Sequence, residues 1–377
     1  MNIENFSLTP DCLRLTWNDG HVNEFHYIWL RDNCNCPSCR HPQVGERTLD
    51  SATIPLDIRP AEVQMNGGEA LTIIWSGDHH QTSYSPAWLR QHSYEPEERA
   101  ARRFQPTLWD SSLLANMPEV TYESVMADDE GLLTWLRLIR RYGTALVRGV
   151  PTERGQVAKV AERIAFLRPS NFGLIFDVES KPDPNSIAYT SVELKAHIDL
   201  VSREMMPGLQ FLHCLVFEAT GGESLLVDGF QAAKVLQQRH PDDYAVLTST
   251  PVRFRYQDRE TDITFKSPMI RLDADGELFE IRYSIALLAP LDINPELVKP
   301  FYKAYLNFTK ILRDPALEIR FQLRPGDLMA FDNRRVLHGR AAFDPQSGPR
   351  QLQGCYVDTD DFLSRLRVLE QRYSEEE

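Results

Sequence analysis

Alternation of apolar and polar positions runs through most of the chain. Leu13 to Trp17 alternates with period two, Asn18-Asp19-Gly20 breaks it, and His21 to His26 resumes it. Asp-Gly accepts the positive φ angles of a tight turn, so this stretch predicts a hairpin. A second hairpin is predicted around Leu71 to Trp75, with Ser76-Gly77-Asp78-His79-His80 at its tip. The period then changes: Asp129 to Tyr142 repeats its apolar positions as a helix does, with acids in the first turn and arginines in the last. Thr144 to Val150 predicts a strand and Gly155 to Phe166 a second helix. From Ser186 onward strands dominate, at Ser186–Thr190, Gly208–Val216, Arg253–Phe265 and Gly276–Tyr283. One long helix, Pro295 to Leu312, precedes further strands at Glu318–Leu323, Leu328–Asp332 and Gln351–Val357. A mainly β chain with a few packing helices predicts a double-stranded β-helix, the jelly-roll, whose mouth collects side chains from several strands.

The chain has 377 residues, which favours two domains over one. The expected division is a small N-terminal β domain over 1–95, a polar, proline-spaced connection over 96–118 and the jelly-roll over 119–377. A net charge of −13 leaves no basic footprint for nucleic acid or an anionic membrane. The N-terminus lacks a basic region followed by an apolar run, and no stretch reads as a membrane span, so a cytoplasmic protein is expected. Of six cysteines, Cys34, Cys36 and Cys39 fall in one C-x-C-x-x-C run, a spacing that suits one zinc ion better than a disulfide framework. The fourth ligand is expected from the histidines at the second hairpin tip. Four protein ligands would make the zinc structural, as befits a domain with little core.

The catalytic signal lies in Lys195-Ala196-His197-Ile198-Asp199. On a strand, residues i and i+2 project to one side, so His197 and Asp199 can reach one metal ion. A third ligand, His338, comes from Asn333-Arg334-Arg335-Val336-Leu337-His338 far downstream. Two imidazoles and a carboxylate on one face suit Fe(II) and leave three positions open. Arg350 follows His338 by twelve residues and could hold the far carboxylate of a dicarboxylic cosubstrate as a bidentate pair.

His197-x-Asp199, Thr220-Gly221-Gly222-Glu223-Ser224, Arg324-Pro325-Gly326-Asp327, His338-Gly339-Arg340 and Arg350 occur in one order along the chain. In that order they resemble the γ-butyrobetaine hydroxylase-like branch of the Fe(II)/2-oxoglutarate dioxygenases, related to taurine dioxygenase, from about Trp29 to Tyr373. The resemblance implies iron on His197, Asp199 and His338, with 2-oxoglutarate on Arg350 assisted by Ser224. It implies O2 as the oxidant, and His79 rather than His80 as the last zinc ligand. It further implies an aromatic cage for a trimethylammonium group, at positions matching Phe172, Phe176, Tyr189 and Tyr356, and a homodimer.

The acid end of such a zwitterionic substrate maps to Asn185, Ser186 and the stretch Glu280 to Ser284. Arg282 there would be costly to bury unless an anion met it, and a phosphonate suits it better than a single carboxylate. The expected substrate is therefore 2-trimethylaminoethylphosphonate, slightly ahead of γ-butyrobetaine, whose hydroxylation forms carnitine. The remaining alternatives are a sulfonate dioxygenase and a barrel that binds without catalysis.

Overall fold

A computed structural model describes residues 2–67, 70–179 and 190–374. The chain divides into two compact units, Met1–Phe104 and Gln105–Glu377. The expected connection over 96–118 does not behave as one segment. Its first part forms a short helix, Pro96–Ala101, and its second part buries Trp109 and packs Leu113 and Met117 into the core of the second unit.

The first unit consists of two three-stranded antiparallel meanders. One runs through Ile3–Leu8, Cys12–Trp17 and Val22–His26, the other through Pro60–Asn66, Ala70–Trp75 and Gln81–Tyr84. Their period-two alternation turns Leu13, Leu15, Trp17, Phe25, Leu71, Ile73 and Trp75 into one buried cluster. Trp17 and Trp75 are fully buried, and each indole N–H is satisfied, by Asn23 and Thr82.

The second unit is the jelly-roll. Its six-stranded sheet runs Glu119–Thr121, Thr144–Arg148, Leu328–Asp332, Leu209–Phe217, Arg350–Val357, Ile175–Val178. Its four-stranded sheet runs Leu194–His197, Val336–Arg340, Ser224–Asp228, Glu318–Phe321. Leu146, Cys214, Leu226, Ile319, Met329, Phe331, Val336 and Leu352 come from both sheets and meet in the core between them. Outer layers close the other two faces. The helices Asp129–Tyr142, Gln156–Ala161 and Thr359–Ser374 cover the larger sheet, and Gly229–Arg239, Pro241–Ser249 and Pro295–Leu312 cover the smaller.

Strand parity sets the site. In the strand Leu209–Phe217, Leu209 and Phe211 pack outward against helices, so Gln210 and Cys214 face inward. In Arg350–Val357, Cys355 and Val357 face out, which sends Arg350, Leu352, Gly354 and Tyr356 in. Val336 and Leu226 belong to the inner core, which puts His338, Arg340 and Ser224 on the inner side of their strands as well.

The helix Asp129–Tyr142 matches its expected bounds, capped by Asp128 on the Gly131 N–H and ended by Gly143 at φ +75°. Pro295–Leu312 also matches. The second expected helix is shorter, Gln156–Ala161. Arg253–Phe265 is a hairpin, Val252–Gln257 and Asp262–Ser267, rather than one run. Of the strand expected at Ser186–Thr190, residues 186–189 lie outside the described residues. No helix among the described residues is long and apolar enough to cross a membrane.

Candidate functional site

In the first unit the cysteine run ends the short helix Tyr27–Asp32 and curls round a single point. His80 Nε2 lies 3.3 Å from Cys34 Sγ and 3.5 Å from the sulfurs of Cys36 and Cys39. This corrects the assignment of His79. His79 occupies the hairpin tip at φ +53° and is exposed, whereas the His80 carbonyl already accepts from Trp75 N–H in the returning ladder. His80 is therefore the residue whose direction the sheet dictates. Burial and the Arg31 charge push its imidazole toward the neutral, ligating form. Arg31, itself buried, bridges Cys39 Sγ and Asp78. Three thiols and an imidazole converging on one point fit zinc in a closed, structural site.

In the second unit His197 and His338 are paired across neighbouring antiparallel strands, their rings 4.5 Å apart. The strand ends at His197, so Asp199 does not reach the site from an extended backbone as expected. It sits in a turn that Leu200 opens at φ +56°, an uncommon conformation for a branched residue. Asn333 holds that turn from both sides, accepting from Asp199 N–H at 3.0 Å and donating to the Asp199 carbonyl at 3.1 Å. His197 Nε2 is 3.1 Å from Asp199 Oδ1, and His338 Nε2 is 3.7 Å from Oδ2. The ligand atoms of the three residues all lie within 4.8 Å of one another.

Asp199 Oδ2 accepts from the Tyr356 hydroxyl at 2.8 Å and from Gln210 Nε2 at 2.9 Å. Burial opposes the Asp199 charge, yet His338, His197 and Tyr356 together hold the carboxyl far below its usual range. Burial and the neighbouring His197 push His338 down to about 3, so it stays neutral. At His197 burial is outweighed by the bond to Asp199, which raises it. A neutral imidazole, an ionised carboxylate and a second imidazole on one face form a donor set that fits Fe(II).

The cosubstrate end fits equally well. Arg350 is 8% exposed, its Nε is buried without a hydrogen-bond partner, and among the described residues no carboxylate pairs with it. Its guanidinium lies over Phe217 and Phe343 at 5.2 and 5.6 Å, and burial together with nearby Arg340 lowers it to about 10. A buried cation with no counter-ion is costly until an anion arrives, which is what a dicarboxylic cosubstrate brings. A Cβ on Gly222, at φ +78°, would come within 3.2 Å of Arg350 Nε, so the Gly-Gly turn is shaped to this side chain. Ser224, buried two residues on, begins the adjoining inner strand.

The aromatic positions divide. Phe176 lies 5.1 Å from Tyr356 and 6.5 Å from Phe172, so these three rings form one cluster beside Asp199. Gly354 makes it possible, because a Cβ there would meet the Phe176 ring at 2.5 Å. Tyr256 extends the cluster, 5.7 Å from Phe172; the sequence pattern did not single it out. Gln210 and Asn333 were also missed, although a polar residue on the inward side of an apolar strand was a signal for Gln210. Tyr189, Asn185 and Ser186 lie outside the described residues. Arg282 overturns its expected role. It is fully buried, bonds Glu280 at 2.5 Å and donates to the carbonyls of Val201, Arg203 and Glu204. It clamps the loop after Asp199 with four of its five donors and already has Glu280 as its counter-ion, so it is not the free cation that a substrate acid would need.

Residues 100–356 match the taurine catabolism dioxygenase TauD, TfdA family, and residues 6–90 match the γ-butyrobetaine hydroxylase-like N-terminal family. The chain is 45% identical to the γ-butyrobetaine dioxygenase of Pseudomonas sp. (strain AK-1), over 94% of this chain and 93% of that one. It is 34% identical to the human mitochondrial trimethyllysine dioxygenase, over 92% of this chain and 83% of that one. A Burkholderia xenovorans structure described as an α-ketoglutarate-dependent taurine dioxygenase superposes with a TM-score of 0.50 at 15% identity. It covers 68% of this chain and 92% of its own, a likeness of fold. The chain thus belongs to the TauD/TfdA dioxygenase family and is an Fe(II)/2-oxoglutarate-dependent dioxygenase with a γ-butyrobetaine hydroxylase-like N-terminal domain.

Proposed function

We propose that this protein hydroxylates γ-butyrobetaine to carnitine. The observation that carries the reading is the 45% identity, over almost the whole of both chains, to a γ-butyrobetaine dioxygenase. Relatives named for trimethyllysine support the coarser statement that the substrate bears a quaternary ammonium group. The ring cluster of Phe172, Phe176 and Tyr356 supports it independently, since aromatic faces attract such a cation. The order that put 2-trimethylaminoethylphosphonate first is reversed. One of its supports was a free Arg282, and that side chain is engaged inside the fold.

Iron and 2-oxoglutarate, when bound, supply the oxygen activation that puts a hydroxyl on carbon while 2-oxoglutarate becomes succinate and carbon dioxide. The residues of the chain do the positioning. His197, Asp199 and His338 would hold the metal from one side, with Asp199 fixed by Tyr356, Gln210 and Asn333. Arg350 would hold the far carboxylate of the cosubstrate, and the rings would fix the cationic end so that one C–H bond is presented and others are not.

The test is an oxygen pulse on the anaerobic enzyme loaded with Fe(II) and 2-oxoglutarate. γ-Butyrobetaine, trimethyllysine and 2-trimethylaminoethylphosphonate are run side by side, and succinate and product are quantified. Product matching succinate with γ-butyrobetaine is expected. Product from one of the other compounds alone moves the substrate, and succinate without product from any of them overturns the reading.

A further inference from the structure

Four residues beyond Asp199, on the loop clamped by Arg282, stands Arg203. Its own N–H closes a turn on the Leu200 carbonyl, and Arg282 holds its carbonyl at 2.6 Å, so its backbone is fixed from both ends. Its guanidinium donates through Nη2 to Asn171 Oδ1 at 3.1 Å. Two donors at this contact are then left over. Arg203 Nε and Asn171 Nδ2 are both shielded from solvent, and neither has a hydrogen-bond partner among the described residues. Among the described residues no carboxylate pairs with Arg203, while its like-charged neighbour Arg168 is already paired with Asp358. Buried donors are ordinarily satisfied, and a lone guanidinium beside a second one is a standing demand for an anion.

The position gives that demand a meaning. Asn171 immediately precedes Phe172 of the ring cluster, and Arg203 lies within electrostatic reach of the Tyr356 side chain. Tyr356 in turn bonds the metal ligand Asp199. An acid seat next to a cation-binding ring surface and the metal carboxylate matches a small zwitterion, one end to each.

We propose that Arg203 and Asn171 bind the acid group of the substrate. The assignment rests on the reading of the substrate as a trimethylammonium acid. It fills the role that Arg282 cannot play. A carboxylate or a phosphonate would satisfy the same donors, and a guanidinium with a fixed amide beside it favours a planar or tetrahedral oxyanion over a neutral group.

The test is equilibrium binding by calorimetry to the anaerobic protein loaded with Fe(II) and 2-oxoglutarate. γ-Butyrobetaine, its uncharged amide and 2-trimethylaminoethylphosphonate are compared on the wild type, Arg203→Gln and Asn171→Ala. The wild type should bind the acid roughly ten- to a hundredfold more tightly than the amide, the range for hydrogen bonds to a charged group. Arg203→Gln should erase most of that preference, and Asn171→Ala part of it, with the affinity for 2-oxoglutarate unchanged. Equal binding of acid and amide by the wild type overturns the proposal even if a variant fails to fold, as does a preference that survives in a folded Arg203→Gln protein. Failure of the wild type to bind any of the three compounds rejects the substrate reading itself. Tighter binding of the phosphonate than of the carboxylate leaves the acid seat in place and changes the acid.

Discussion

Cys34, Cys36, Cys39 and His80 lie within one hairpin and one short run of the first unit, and their four ligand atoms close round a point. His197, Asp199 and His338 come from two strands and a turn of the second unit and occupy one side of a point. Both clusters are braced by further polar groups, Arg31 and Asp78 at the first, Tyr356, Gln210 and Asn333 at the second. The difference is in what remains unsatisfied. Around the zinc-type cluster Arg31 finds both a thiol and a carboxylate, whereas around the iron-type cluster, among the described residues, Arg350 has no anion and Arg203 has a spare buried donor. A closed, compensated centre stores folding energy; an open one surrounded by uncompensated charge is prepared for ligands.

The largest expected effect separates the centres by their consequence for folding. Zinc binding to sites of this kind is coupled to folding by on the order of 10 kcal/mol. His80→Ala should therefore lose zinc and destabilise the first unit, as read by metal content and limited proteolysis, while His79→Ala keeps both. Zinc retained by His80→Ala and lost by His79→Ala would reverse the ligand assignment.

Next in size is the bracing of the iron centre. Removing a hydroxyl that orients a metal ligand costs roughly ten- to a hundredfold in metal affinity. Tyr356→Phe should weaken Fe(II) binding by that factor and leave zinc content untouched, a split that a competitive chelator titration would reveal. Equal Fe(II) affinity in the two proteins would mean that Gln210 and Asn333 suffice to fix Asp199.

Gly354→Ala tests the ring cluster. The new methyl would sit on Phe176, and overpacking costs about 1–3 kcal/mol unless the ring moves. The expected outcome is a raised KM for the quaternary ammonium substrate with 2-oxoglutarate binding preserved; an unchanged KM would remove Phe176 from the substrate surface.

A further effect, confined to acid pH, separates the units. Among the described residues no histidine of the first unit is fully buried, but His213 in the second is, and burial pushes it down to about 4. Its pKa is depressed on folding, so the unfolded chain takes up the proton first. The contribution is intact above about 6.5 and is lost as pH falls toward 4, amounting to about 3 kcal/mol at most. Urea unfolding of the second unit should show this slope, and His213→Asn should flatten it.

Much of this was legible in the sequence. The period-two and 3.6-residue patterns gave the hairpins of the first unit and the helices Asp129–Tyr142 and Pro295–Leu312, because burial of one face is written locally. The sequence patterns do not pick out the helices Gly229–Arg239 and Thr359–Ser374 or the strand Ser224–Asp228. That strand is buried throughout, so it shows no alternation. Cys34, Cys36, Cys39, His197, Asp199, His338 and Arg350 were visible because ligand chemistry restricts residue types and spacing.

Other decisions needed the fold. His79 and His80 are indistinguishable by composition, and only the hairpin's left-handed residue decides which ring turns toward the thiols. Arg282 looked like a substrate residue for the same reason that Arg203 did not: a guanidinium reads alike in a sequence whether its donors are spent or spare. The sequence by itself determined many of the elements, the three cysteine ligands, the iron ligand set and the kind of metal each suits, because periodicity and donor chemistry are properties of residues and their spacing. Tertiary structure decided which charged groups are already compensated and which still need a partner, because compensation depends on atoms brought together from strands far apart in the chain.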